Sequence, residues 1–393
     1  MRSRKVSILT RREVLRRGAA LGGLAFGATL LAACGAGQSA TPTTTATTPQ
    51  PTTESSAVTA VPPAPTAPAE TPAATSTAAS TVVPTTAAAT APALIHGSGT
   101  VNVMYAGSLV TLMEKRLGPA YNKATGFDFQ GEGKGSVAIV NLIKGKAREP
   151  DIFISADPSV NSLLQGKANG DFVSWWVPFA RTTMVVAWSP RSKFASAFVD
   201  AKAGKRTWES VLEEPGLRLG RTDPELDPKG YRTLWLFQLD EQRTKDTGEA
   251  ERILGKSDNP SQIFPEEQLV ARLQSGQLDA GIFYQIEAVE AKLPFLELPA
   301  EINQGDPAQT SNYATVSYTG NKGAVYHGSP ILYTVTIPTT AKNVAGAEAF
   351  VQFLLSDAGQ SVLSQEGLLS TSPVISGDST AVPAVLRPFL KAP

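Results

Sequence analysis

The chain has 393 residues and a formal charge of zero, but that charge is unevenly placed: residues 1–34 stand at +6, residues 35–98 at −2 and residues 99–393 at −4. A mildly acidic body without a basic stripe excludes nucleic acid as an expected partner, because that affinity rests on Lys and Arg set against phosphates. One cysteine and two distant histidines, His96 and His327, exclude a disulfide framework and a CxxC redox site and leave little for zinc or serine–histidine chemistry.

The chain opens on MRSRKVSILTRREVLRRG, continues through an uncharged run over 18–33 and reaches Cys34. A basic leader, a short apolar stretch and small residues before a cleavage point make a secretory signal. The uncharged run is too short for a hydrocarbon core, which takes roughly 20 residues. Thr10-Arg11-Arg12-Glu13-Val14-Leu15 resembles a twin-arginine export signal, and Leu31-Ala32-Ala33-Cys34 resembles a bacterial lipoprotein box. The second resemblance implies that Cys34 is acylated and holds the protein on the outer face of the cytoplasmic membrane. The competing reading is an uncleaved anchor with an incidental cysteine. Residues 35–98 are nearly all Thr, Ala, Pro, Ser and Val. Proline there breaks helices, and so little apolar bulk leaves nothing to bury, so a disordered tether is expected.

From residue 99 a body of two α/β lobes is expected. An apolar strand over 101–105 leads into Gly107-Ser108 and a helical pattern with Leu109, Leu112, Met113 and Leu117 on one face. Residues 127–129 read as a strand and 131–135 as a glycine-rich turn, with Ser136 opening a helix that carries Val137, Ile139, Val140 and Ile143. A third strand over 151–155 leads to Asp157-Pro158 and another helix start. This alternation predicts a mostly parallel sheet with a ligand site beyond the carboxyl ends of its strands. Gly-Ser at two of those ends brings backbone, hydroxyls and helix N-termini together, an arrangement suited to a small anion. Alternatively, Ser108 and Ser136 are simply helix caps. The apolar runs 184–188 and 331–337 flank a second α/β stretch. They predict an interrupted first lobe (about 99–182 and 338–393), a second lobe (about 189–330) and two strand-like crossings as the hinge.

These residues resemble the molybdate/tungstate-binding proteins of ABC importers, above all the archaeal-type group. The likeness is carried by Ala106-Gly107-Ser108-Leu109, Gly135-Ser136-Val137, Ala156-Asp157, Thr222-Asp223-Pro224, Asp227-Pro228-Lys229-Gly230-Tyr231-Arg232, Ser275-Gly276-Gln277-Leu278-Asp279, Ile282-Phe283-Tyr284 and Pro330-Ile331-Leu332-Tyr333. It implies a two-lobed periplasmic-binding-protein-like (type II) fold, no catalysis, no cofactor, a monomer, and a permease and ATPase as partners. It further implies an oxyanion site at Gly107, Ser108, Ser136, Asp227, Pro228, Lys229, Glu266 and Tyr284. Asp227 and Glu266 would reach the molybdenum or tungsten atom and raise its oxygen neighbours from four to six, and Tyr284 would hydrogen-bond an oxyanion oxygen. Lys229 stands where the family commonly has cysteine, and Lys134 lies within the glycine-rich segment. Each lysine would either add a charge contact or point to water. Read without the resemblance, Asp227-Pro228 is a turn and Glu266 belongs to an acidic first helical turn. The competing functions are a sulfate, phosphate or ferric-iron receptor on the same fold, a hydrolase using Asp227 with Glu266, and a stalked adhesion module.

Overall fold

The computed structural model describes residues 93–392, so the signal, Cys34 and the linker before Ala93 lie outside the described residues. Two sheets organise the rest. The larger has six strands in the order β12-β4-β11-β3-β1-β2. Its strands are β1 (Thr100–Ala106), β2 (Asp128–Lys134), β3 (Ile152–Ser155), β4 (Trp175–Arg181), β11 (Leu332–Thr336) and β12 (Ser376–Gly377). The smaller runs β6-β7-β5-β8, formed by β5 (Met184–Trp188), β6 (Leu219–Gly220), β7 (Ala280–Tyr284) and β8 (Phe295–Glu297). A hairpin of β9 (Ser317–Thr319) and β10 (Val325–His327) precedes the return to the larger sheet. No described helix is long and apolar enough to cross a membrane.

The sheets are mixed rather than mostly parallel. Pairs β1–β2, β1–β3 and β6–β7 are parallel, whereas β11 runs antiparallel to both β3 and β4, and β5 to both β7 and β8. A strand that returns from the other lobe is not bound to the right-handed crossover that makes neighbours parallel. The expected glycine-rich turn is mostly strand as well. Residues 131–134 continue β2, paired with Val103 to Ala106 of β1, and the turn shrinks to Gly135. Strands β3, β5 and β7 are buried at every residue, as expected where helices cover both faces.

Helical structure follows β1 from Gly107 to Thr125 with a wider turn over Met113–Leu117, just ahead of Pro119. Proline lacks the N–H and crowds the preceding turn, which accounts for the widening. Leu109, Leu112, Met113 and Leu117 are all buried, as their spacing predicts. Neither apolar run expected as a crossing spans the sheets. Met184–Trp188 lies within the small sheet and Leu332–Thr336 within the large one, so the chain crosses at residues 182–183 and 328–331. The body also begins earlier than residue 99. Ile95 N–H donates to Gln352 Oε1 at 2.7 Å, Gln352 Nε2 donates to the Ala93 carbonyl at 2.7 Å, and Gly97 N–H donates to Thr125 O.

Candidate functional site

The first lobe presents two helix starts at the carboxyl ends of β1 and β2. Gly107 opens the turn that continues into the first helical segment, and Ser136 opens the Ser136–Lys144 helix. Neither serine is a cap. The N-cap positions are Ala106 and Gly135, and neither start has a side-chain cap bond. Both hydroxyls instead accept a hydrogen bond from within their own lobe: Ser108 Oγ from Tyr333 O–H at 3.0 Å, and Ser136 Oγ from Ala156 N–H at 3.1 Å. A hydroxyl whose lone pair is occupied in this way keeps its own proton for another acceptor. Together with the free N–H groups of a helix start, that is a donor set for an anion.

The second lobe answers with carboxylates. Asp227 caps the Pro228–Thr244 helix, its Oδ1 accepting from Lys229 N–H at 2.7 Å and from Thr222 Oγ1 at 2.9 Å. Pro228 is buried in the first helical turn, where a missing N–H costs nothing; it has no donor to offer and contributes shape. Glu266 is the first residue of Glu266–Gln274 and is buried. Its Oε1 lies 3.3 Å from Lys229 Nζ, and its Oε2 has no hydrogen-bond partner among the described residues. Burial, then repulsion from Asp227, pushes the Glu266 carboxyl well above the usual carboxylate range, with Lys229 pulling the other way. Tyr284, at the end of β7, is fully buried with its hydroxyl unpartnered among the described residues.

Lys229 does not point to water. Its ammonium is fully buried and lies 2.7 and 2.8 Å from the two oxygens of Glu287. Burial alone would depress the ammonium, but Glu287, Glu266 and Asp227 outweigh it and hold Lys229 above its ordinary value. Glu287 also accepts Tyr284 N–H at 2.9 Å, tying the pair to the end of β7. Lys134, by contrast, is a half-exposed neighbour of Glu132 at 3.5 Å.

The two halves meet at the glycines. A β-carbon on Gly135 would sit 2.5 Å from the Leu226 carbonyl oxygen and 3.1 Å from Asp227 Oδ2; one on Gly107 would sit 2.6 Å from Glu266 Oε2. Ala138 N–H donates to Leu226 O across the gap at 3.0 Å. A groove of about 250 Å³ opens between Gly135, Thr222, Asp227, Phe264 and Glu266. Beside the crossing segments, the buried Arg232 bonds Asp157 Oδ2 of the first lobe at 2.6 Å and the Ser329 carbonyl at 2.7 Å. All eight expected site residues therefore fall at or beside the junction of the lobes. Sequence reasoning missed Glu287 and the Arg232–Asp157 pair. Arg232 and Asp157 did stand among the family-like residues, but without a role.

Residues 101–369 match the family described as bacterial extracellular solute-binding protein. A Haloferax volcanii protein, provisionally named as an ABC transporter molybdenum-binding protein, is 34% identical over 260 residues, which are 66% of this chain and 78% of that one. An uncharacterized solute-binding protein of Halobacterium salinarum is 31% identical, covering 68% of this chain and 84% of its own length. The molybdate/tungstate-binding protein WtpA of Thermococcus kodakarensis is 29% identical over 67% of this chain and 80% of its own. The match runs through both sheets and takes in every residue of the lobe junction described above, and on it the chain belongs to the bacterial extracellular solute-binding proteins.

Proposed function

We propose that the chain is the extracytoplasmic receptor of an ABC importer, that it takes molybdate or tungstate into the interlobe cleft, and that it delivers the ion to a membrane permease driven by an ATPase. One observation carries the reading: two buried carboxylates of the second lobe, Asp227 and Glu266, are set against Gly135 and Gly107 at the helix mouths of the first. Once Glu266 has given up the proton that its burial favours, two carboxylates beside a dianion repel it by several kcal/mol in a partly dry cleft. Sulfate has no valence room to offset that cost. Molybdenum and tungsten accept further oxygen ligands, so the same acids become coordination and select against sulfate. The names of the Haloferax and Thermococcus relatives support the choice of ion.

In this reading Ser108, Ser136 and the Tyr284 hydroxyl donate to the oxyanion oxygens, while Asp227 and Glu266 approach the metal. Lys229 acts through Glu266 rather than on the ligand, because its protons already face Glu266 and Glu287. Closure takes place about residues 182–183 and 328–331, between a first lobe of residues 93–181 and 332–392 and a second of residues 184–327. A lipid on Cys34 and the following linker hold a monomer at the outer face of the cytoplasmic membrane.

Thermal unfolding of the full chain with tungstate, molybdate, sulfate and phosphate tests this. A ligand at a hundred times its Kd adds about 2.7 kcal/mol. Tungstate and molybdate are expected to raise the midpoint, with sulfate and phosphate leaving it in place, and X-ray absorption of the loaded protein is expected to show six oxygen neighbours. Equal stabilisation by sulfate would reject the reading.

A further inference from the structure

Away from the cleft, three acids from three helices converge in the second lobe. Glu209 comes from Trp208–Leu212, Asp240 from near the end of Pro228–Thr244, and Glu249 from the start of Glu249–Leu254. Each offers a carboxylate oxygen within 4.8 Å of the other two. Asp240 and Glu249 are 0% and 1% exposed, and Glu209 retains 14% at the rim.

One cation faces them. Arg243 donates to Asp240 Oδ1 at 2.7 Å and to Glu209 Oε1 at 3.1 Å. That leaves Glu209 Oε2, Asp240 Oδ2 and both oxygens of Glu249 without a hydrogen-bond partner among the described residues. Three carboxylates against one guanidinium leave two negative charges. Isolated buried charges cost many kcal/mol, and structures that keep them supply a partner.

We propose that Glu209, Asp240 and Glu249 form a binding site for a hard divalent cation of the calcium class. The four unpartnered oxygens are hard donors, and the surplus of two negative charges matches the ion. Calcium holds its oxygens at about 2.3–2.6 Å, so donors on opposite sides of it lie about 5 Å apart. Magnesium demands a near-ideal octahedron at about 2.0–2.1 Å and gives up its waters reluctantly, so a buried set of carboxylates suits it less well. Water completes the shell at the Glu209 rim. The bound ion staples the end of one helix to the start of the next, across a turn whose Lys245 and Gly248 have φ of 64° and 91°. Burial, then the neighbouring acids, holds Glu209 up to about 7 and Glu249 up to about 8, with Asp246 adding to the load on Glu249. A bare cluster therefore resists full ionisation, and protons are the rival occupants.

The test uses the full chain, stripped of metal with chelator and held at about pH 9, above the values to which burial holds Glu209 and Glu249. Calcium is expected to raise the unfolding midpoint by at least about 2 °C, magnesium by less, and the shift is expected to vanish in Glu249→Gln. Terbium, excited through Trp208 beside Glu209, is expected to luminesce and to be displaced by calcium. Glu209→Gln, at the rim, gives the same test if the buried substitution does not fold. Absence of both shift and luminescence would assign the cluster to protons alone and overturn the proposal. So would a shift of full size in both variants, which would place the ion elsewhere. Oxyanion binding is measured alongside, and neither variant is expected to change it, so a failure here and a failure of the cleft reading are distinguishable.

Discussion

At Asp227 the two carboxylate oxygens have separate duties. Oδ1 caps a helix and bonds Thr222, while Oδ2 faces Gly135 in the cleft. Asparagine caps helices as well as aspartate does. Asp227→Asn is therefore expected to leave the unliganded midpoint nearly unchanged while weakening tungstate binding by about 10- to 100-fold, the scale of one lost charged contact. Titration calorimetry beside thermal unfolding checks both halves, and a large fall in the unliganded midpoint would make Asp227 structural. The acids of the cleft were legible in the sequence because a family likeness points to them. The setting of Lys229 was not. A lysine in isolation reads as a surface residue, and its burial depends on Glu287, 58 positions away. Glu287 did carry a local signal, three residues after Tyr284 at a helix start, but that signal predicts a cap and says nothing of a lysine.

The elements show the same division between local and distant causes. The helix behind Ser136 and the buried face of Leu109 to Leu117 follow from spacing alone, and the structure has both. The direction of β11 and the extension of β2 through residues 131–134 do not, since each is set by a strand contributed from elsewhere. Gly135 is where element and function meet. Its backbone, at φ −51° and ψ 133°, suits any residue, so alanine there leaves the first lobe intact. The added methyl group would instead strike the Leu226 carbonyl and Asp227. Gly135→Ala is expected to wedge the lobes apart, lowering oxyanion affinity at least about tenfold with little change in unliganded stability. Small-angle scattering with and without tungstate reads the compaction directly. Compaction equal to that of the parent would mean the close approach at Gly135 is not needed for closure.

Across the whole molecule, a two-lobed body was legible from the alternation of strands and helices and from its interruption. The charges buried between the lobes were not, because each partner lies on a different lobe. Arg232 and Asp157 are one such pair, and breaking a buried pair costs about 3–5 kcal/mol. Glu290 is a second case. It ends the Gln285–Glu290 helix of the second lobe and faces Glu366, Lys115 and Arg116 of the first. Burial, then Glu366 and Glu287, pushes its carboxyl up to about 8, with Lys115 and Arg116 opposing. Between the unfolded value of 4.5 and about 8 the folded chain binds the extra proton, so stability falls as pH rises through that window. Glu290→Gln is expected to unfold at a higher midpoint than the parent near pH 8 and at the same midpoint below about pH 4.5. A series of melts across pH tests it, and parallel curves would show that Glu290 is freely hydrated.

Gln352 gives the molecule a mooring point. It grips the incoming chain at Ala93 and Ile95 from the last turn of the Val344–Leu355 helix, which packs behind the six-stranded sheet. A tug arriving along the polypeptide is therefore borne by that half alone. The half that carries Asp227 and Glu266 is joined to it by residues 182–183 and 328–331, and in the proposed receptor it closes without working against the linker.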